Sequence, residues 1–168
     1  MIIRKAYKYA LRPGTAQERD LVRFAGSCRF VWNRVIAIQK ERLDRGEKIL
    51  RYTEAADLLP AWKREQKTAW LKSDAHSQSL QQALRDLDRA LLDAFSKSNP
   101  KRFPRFKTRG RGDTFRIPQG FRLDEANSRI RVPKIGWLRY RNSRKIEGTP
   151  KNITISRRAD RWFVSVQT

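Results

Sequence analysis

Apolar and polar positions alternate along the first dozen residues. Ile3, Tyr7, Tyr9 and Leu11 share one parity, and Arg4, Lys8 and Arg12 share the other, so residues 2–12 read as a strand with one buried face. Pro13-Gly14 ends it. The period then changes. Leu21, Phe24, Ala25, Cys28, Val31, Trp32 and Val35 recur at helical spacing and fade near Gly46. Thr15 and Glu18 fit a capping box at the start of this helix, and Gly26-Ser27 is a point where it could break or kink. A further helical piece begins near Thr53 and meets Pro60, which suits a first turn. The strongest pattern spans about Ser77 to Lys97. There Leu80, Leu84, Leu87, Leu91 and Phe95 draw a single apolar stripe, with Ser98-Asn99-Pro100 as the stop.

After this helix the pattern shortens. Runs at 114–118, 121–124, 129–134, 137–142, 152–157 and 162–166 alternate like strands, with turn residues at 124–128 and 158–161. Short strands at this spacing suggest a small antiparallel barrel. A lone N-terminal strand needs partners, so the economical fold is α+β. Residues 1–13 and 99–168 would form a discontinuous β-barrel, and residues 14–98 a helical lobe inserted into it.

Charge gives this outline a function class. The 168-residue chain carries a net +22, and its last seventy residues hold nineteen Lys or Arg against five Asp or Glu. The run from Asn99 to Arg111 has six cations and no acid. Such a surface repels itself unless a polyanion neutralises it, so a nucleic acid held through its phosphates is the expected partner. A membrane partner is not expected, because no apolar run reaches transmembrane length. Cations interrupt the apolar start, which therefore does not read as a secretory signal. The single cysteine, Cys28, excludes an internal disulfide and reads as a buried thiol.

The acids offer little for catalysis. Asp86, Asp88 and Asp93 share a helix with Arg85 and Arg89, and they read as solvated helix charges rather than metal ligands. His76 is the only histidine and has no evident carboxylate partner; it reads as a helix-start or loop residue. Any of Trp32, Trp62, Trp70, Trp137 and Trp162 could stack on an unpaired base, but core packing is the commoner use, above all for Trp32 and Trp162. Phe103 and Phe106 suggest that the basic run is anchored rather than loose.

Several segments gain meaning in combination. Cys28-Arg-Phe-Val-Trp-Asn33 follows the basic strand, and Ala69-Trp-Leu71 precedes Ser77-Gln-Ser-Leu-Gln-Gln82. Phe103-Pro-Arg-Phe-Lys107, Thr114-Phe-Arg116, Ile130 to Trp137, Ile153 to Arg157 and Arg161 to Ser165 then follow in order. In this order the chain resembles the N-terminal half of the TnpB (OrfB) transposon-encoded family of RNA-guided DNA endonucleases, over essentially its whole length. The resemblance implies a wedge-type barrel with a helical recognition lobe, whose first helices have been described as a helix-turn-helix. It also implies that the RuvC-like nuclease and zinc ribbon, with their Mg²⁺ and Zn²⁺, come later, so the 168 residues are expected to hold no catalytic residue and no cofactor. An unrelated basic RNA-binding barrel would share the composition without the ordered motifs.

The resemblance implies two sites and two partners. Lys101, Arg102, Arg105, Lys107, Arg109, Arg111, Lys134, Arg139 and Arg141 would hold guide-RNA phosphates. Tyr52, Ser77, Gln78 and Gln81, with Gln119 in a later loop, would face the short flank of a double-stranded DNA target. Ser79 and Gln82 also fit a capping box, which would give this stretch a share in the fold. The implied compartment is the prokaryotic cytoplasm, with association to the nucleoid when DNA is bound. Oligomeric state is left open.

Overall fold

A computed structural model describes residues 1–168. The chain begins with strand β1 (Ala6–Arg12), followed by five helices: α1 (Thr15–Asp44), α2 (Tyr52–Ala56), α3 (Leu58–Arg64), α4 (Leu71–Asp74) and α5 (Ser77–Ala94). Six strands follow: β2 (Thr114–Ile117), β3 (Arg122–Asp124), β4 (Arg129–Val132), β5 (Gly136–Tyr140), β6 (Asn152–Arg158) and β7 (Arg161–Gln167). The chain divides into two compact units, Met1–Ala25 with Gly110–Thr168, and Gly26–Arg109; the division falls within α1.

In the first unit the seven strands are antiparallel, in the order β2-β6-β7-β1-β5-β4-β3. The N-terminal strand therefore lies inside the sheet, between β7 and β5. Tyr7, Tyr9 and Leu11 of β1 are buried, as are Ile130, Val132, Leu138, Ile153, Ile155, Val164 and Val166 from its neighbours. Phe24 of α1 packs on Phe115 of β2, with ring centroids 4.8 Å apart. The expected closed barrel is not what forms. β2 and β3 stand at opposite ends of the strand order with no ladder between them. Pro118, which has no amide to donate, ends β2, and β3 has three residues, so the two edge strands offer few backbone groups for a closing ladder. Turn chemistry agrees better with the pattern: Ala159 and Asp160 both take positive φ (49° and 62°), the backbone of a tight two-residue hairpin between β6 and β7.

α1 runs through Gly26-Ser27 without a break. Phe24, Ala25, Cys28 and Val31 are buried on either side of that pair, and this packing outweighs the ~1 kcal/mol that a helical glycine costs. Its N-terminal cap lies one residue earlier than the Thr15–Glu18 box. The Gly14 amide donates to Gln17 Oε1 at 3.0 Å, and the Glu18 amide donates to the Gly14 carbonyl. At its other end Gly46 takes φ 73°, the Gly46 amide bonds the Leu43 carbonyl and the Glu47 amide bonds the Arg42 carbonyl. These are the two bonds of a Schellman cap, which needs a left-handed residue at this position. Pro60 lies in the first turn of α3.

In the second unit α5 buries Leu80, Leu84, Leu87 and Leu91. Phe95, expected to extend this stripe, falls just past the helix and stays half exposed, with its ring edge-on to Phe103. The Ser79–Gln82 capping box does not form. The helix starts earlier, after His76, which leaves Ser79 buried inside the first turn with its hydroxyl unbonded. Gln82 Nε2 instead donates to Asp86 Oδ1 at 3.0 Å.

Candidate nucleic-acid interface

The basic segment after α5 has no regular secondary structure, yet it is fixed at several points between Lys101 and Lys107. Lys101 sits at its start. Its amide bonds the Asp93 carbonyl and its ammonium pairs with Asp93 Oδ2 at 3.2 Å. Further along, Trp32 Nε1 donates to the Arg105 carbonyl at 2.9 Å. Asn33 Nδ2 donates to the Lys107 carbonyl at 2.9 Å, and the Lys107 amide donates back to Asn33 Oδ1 at 2.7 Å. Lys40 covers the Phe106 ring, with its nitrogen 4.7 Å from the centroid. The segment is therefore a strap tied to α1. While the strap backbone bonds Trp32 and Asn33, the side chains of Arg102, Arg105 and Arg109 remain exposed, and none of them forms an ion pair.

Lys107 differs from these arginines. Its ammonium lies 4.0 Å from the Trp32 ring centroid, and burial lowers its pKa from the ordinary lysine value. Trp32 is buried as expected, but its indole also acts as a tether. Asn33 was the tether that pattern reading missed. The signal was present in the adjacency Trp32-Asn33, where a helix with an apolar stripe places a polar amide next to a buried aromatic ring.

At the start of α5, Ser77 Oγ accepts a hydrogen bond from Lys63 Nζ at 2.8 Å. Gln78 is half-buried and its Oε1 has no hydrogen-bond partner. Gln81 is exposed. Ser77, Gln81 and Arg85 recur every four residues, so they share a helix face, about 6 Å apart per step. Arg85 leads this face to Tyr52, with its guanidinium 4.1 Å from the Tyr52 ring centroid. The Tyr52 amide donates to Asp88 Oδ1 at 3.0 Å, and Arg51 bridges both oxygens of the same carboxylate. Ser77, Gln81 and Arg85 thus share one face of α5, and Arg85, which the pattern alone did not single out, joins that face to Tyr52 of α2, while Gln78 sits half-buried one position round the helix.

Gln119, Arg111, Lys134, Arg139 and Arg141 belong to the other unit. Gln119 is exposed in the turn after β2, and Lys134 sits in the β4–β5 turn with φ 66°. Arg111 is exposed ahead of β2, and Arg139 points from the exposed face of β5. The Arg141 amide bonds the Ala10 carbonyl at 2.8 Å.

The helix acids are engaged in holding the fold. Asp86 accepts from Gln82, Asp88 from Arg51 and Tyr52, and Asp93 from Lys101. No group of three or more His, Cys, Asp or Glu side chains is arranged to hold a metal ion. Cys28 donates to the Ser79 carbonyl, and burial pushes its thiol up to about 12. No helix is long and apolar enough to cross a membrane.

Comparison with known proteins adds a lineage. Residues 1–48 match the helix-turn-helix domain of the IS605-type OrfB family. Within that stretch the structure has β1 and the single helix α1, and the next helix begins at Tyr52. Two curated relatives carry the name "Putative RNA-guided DNA endonuclease". The InsQ protein of Escherichia coli (strain K12) is 51% identical over 164 residues, which is 98% of this chain and 40% of that protein. The Streptomyces pristinaespiralis relative is 31% identical over 168 residues, 98% of this chain and 41% of its own length. The chain therefore spans about two fifths of the length of these relatives. The motif order, the helix-turn-helix match and alignments that span 98% of the chain converge: over these residues the chain is similar to the N-terminal part of TnpB/OrfB-family proteins.

Proposed function

We propose that these 168 residues are a nucleic-acid-binding part of a TnpB/OrfB-type protein. The strap and the sheet hold the backbone of a guide RNA, and the sheet corresponds to the family's wedge-type domain. The surface formed by Tyr52, Ser77, Gln78 and Gln81 faces the flank of a double-stranded DNA target, with Gln119 as a further contact. Guide pairing selects the target while the protein reads only the short flank. Cleavage, with its metal ions, belongs to the part of the longer relatives that these residues do not span. The setting is the bacterial cytoplasm, at the nucleoid.

One observation carries this reading. The strap is tied by Trp32 and Asn33 while Arg102, Arg105 and Arg109 stay exposed and unpaired. A backbone fixed in place beneath free guanidinium groups suits phosphate binding, because little order remains to be imposed when the polyanion arrives.

The test is an RNA-binding titration against salt. With about six phosphates neutralised, affinity falls roughly three orders of magnitude between 50 and 200 mM salt by duplex-like counterion release. Replacing Arg102, Arg105 and Arg109 together with Gln lowers the slope by about 2 to 3 and leaves sequence preference unchanged. A flat titration of the native chain overturns the reading.

A further inference from the structure

Four adjacent strands present an arrangement that folding alone does not favour. Cross-strand register places Asp124 of β3 opposite Arg129 of β4, Arg129 opposite Arg139 of β5, and Arg139 opposite Arg12 of β1. The next row places Arg122 opposite Arg131, and Arg131 opposite Trp137. Directly opposed residues point to the same side of a sheet, and so do residues two apart on one strand. All seven side chains therefore share one face. It is the face away from the core, since Leu11, Ile130, Val132, Leu138 and Tyr140 are buried on the other.

This face holds five arginines and one carboxylate. Asp124 bonds Arg129 at 2.8 Å, while Arg12, Arg122, Arg131 and Arg139 form no ion pair. Like charges directly opposed across strands destabilise a sheet. Three such pairs occur here: Arg12 with Arg139, Arg129 with Arg139, and Arg122 with Arg131. Arg12, Arg129 and Arg139 line an open cleft of about 640 Å³, together with Asn127 and Ser128 of the β3–β4 turn.

Trp137 completes the face. It keeps 36% of its surface exposed, although a tryptophan usually finds cover in a fold. The Arg129 guanidinium carbon lies 4.3 Å from its ring centroid, and Gln17 Nε2 donates to the Trp137 carbonyl at 2.7 Å, which fixes the backbone beneath it. An exposed aromatic ring on a sheet surface, flanked by free guanidinium groups, suits a splayed base with its phosphates alongside. The rim of a duplex presents no such unstacked base.

We propose that the outer face of β3-β4-β5-β1 is a platform for a single-stranded RNA segment of two or three nucleotides. One base stacks on Trp137. Arg12 and Arg139 hold a phosphate in the cleft, and Arg131 holds the next. This rests on the nucleic-acid reading above and gives it a strand state and a place on the sheet.

The probe is a fluorescein-labelled ten-nucleotide oligouridylate, compared with an RNA duplex of the same length. Trp137→Leu weakens binding of the single strand by about 5- to 150-fold, the range for loss of one stacked base, and leaves the duplex unaffected. Trp137→Phe retains most of the affinity. Arg12→Gln with Arg139→Gln lowers the single-strand salt slope by about 0.7, the value for one lost phosphate contact. These two arginines are exposed and unpaired, and their replacement relieves two like-charge pairs, so the melting temperature does not fall and a loss of binding is not a loss of fold. Native single-strand affinity and slope in both Trp137→Leu and the double variant, with the Arg102, Arg105 and Arg109 variant still impaired, overturns the platform alone. A native chain that binds neither probe overturns the general reading as well.

Discussion

Asn33 holds both backbone groups of Lys107, donating to its carbonyl at 2.9 Å and accepting from its amide at 2.7 Å. A single side-chain amide thereby replaces a strand partner for a segment 74 residues further along the chain. Asn33→Ala leaves both Lys107 groups to find water, at a cost of about 1 to 3 kcal/mol. The expected outcome is a lower melting temperature and faster tryptic cleavage after Arg105 and Lys107. Asn33→Asp keeps the acceptor and loses the donor, and it should fall between the two. Thermal denaturation measures the first, and limited proteolysis with mass analysis of the fragments measures the second.

Gln81 is exposed on the face shared by Ser77 and Arg85. If it pairs with a base of the DNA flank, Gln81→Ala relaxes preference at one position, with about 1 to 3 kcal/mol of discrimination lost. Its exposure means that melting should not change. Selection from a library with a randomised flank, with guide RNA bound, reads the first outcome, and calorimetry reads the second. An unchanged motif removes Gln81 from the recognition surface.

Cys28 should be inert in the native chain. Its thiol is buried, bonds the Ser79 carbonyl and is pushed up to about 12, so the reactive thiolate is scarce at pH 8. Reaction with a thiol reagent should proceed only as fast as the chain opens and reach one equivalent in denaturant. Fast native labelling contradicts this packing.

Asp124 predicts a local acid sensitivity. Hydrogen bonds from Asn127 and then Arg129 hold its carboxyl below the ordinary value of 3.8. A depressed folded pKa gives stability that is present above the unfolded value and lost as pH falls through the folded one. The β3–β4 hairpin should therefore loosen below about pH 4, and Asp124→Asn should flatten that part of the profile. Chemical shifts of Ala126 and Asn127 across an acid titration follow it.

The elements that period alone could reveal were legible. β1 shows strict alternation, and α5 has four leucines on one stripe. Three features depended on contacts far apart in sequence, and local pattern does not encode these. α1 passes through Gly26-Ser27 because tertiary packing holds both flanks. The sheet stays open, with β2 and β3 at its two ends and no ladder between them. Trp32 and Asn33 become tethers only when the strap returns to them. The candidate sites divide in the same way. The abundance of cations was plain from composition, while the opposition of Arg139 to both Arg12 and Arg129 required the strand register.

The position of β1 has a kinetic consequence. β1 is bonded to β7, far along the chain from it, with Ala6 opposite Gln167 and Tyr7 opposite Val166, and on its other edge to β5. Ribosomes add about 5 to 20 residues per second. β1 therefore stays without its β7 ladder for at least about 8 to 30 seconds, the time needed to synthesise the residues between them. During that interval its exposed amides and its Tyr7–Tyr9–Leu11 face are open to chaperones or to the edge of a neighbouring chain. Ordering of the sheet waits on the C-terminal strands, and loops this long make such pairing slow.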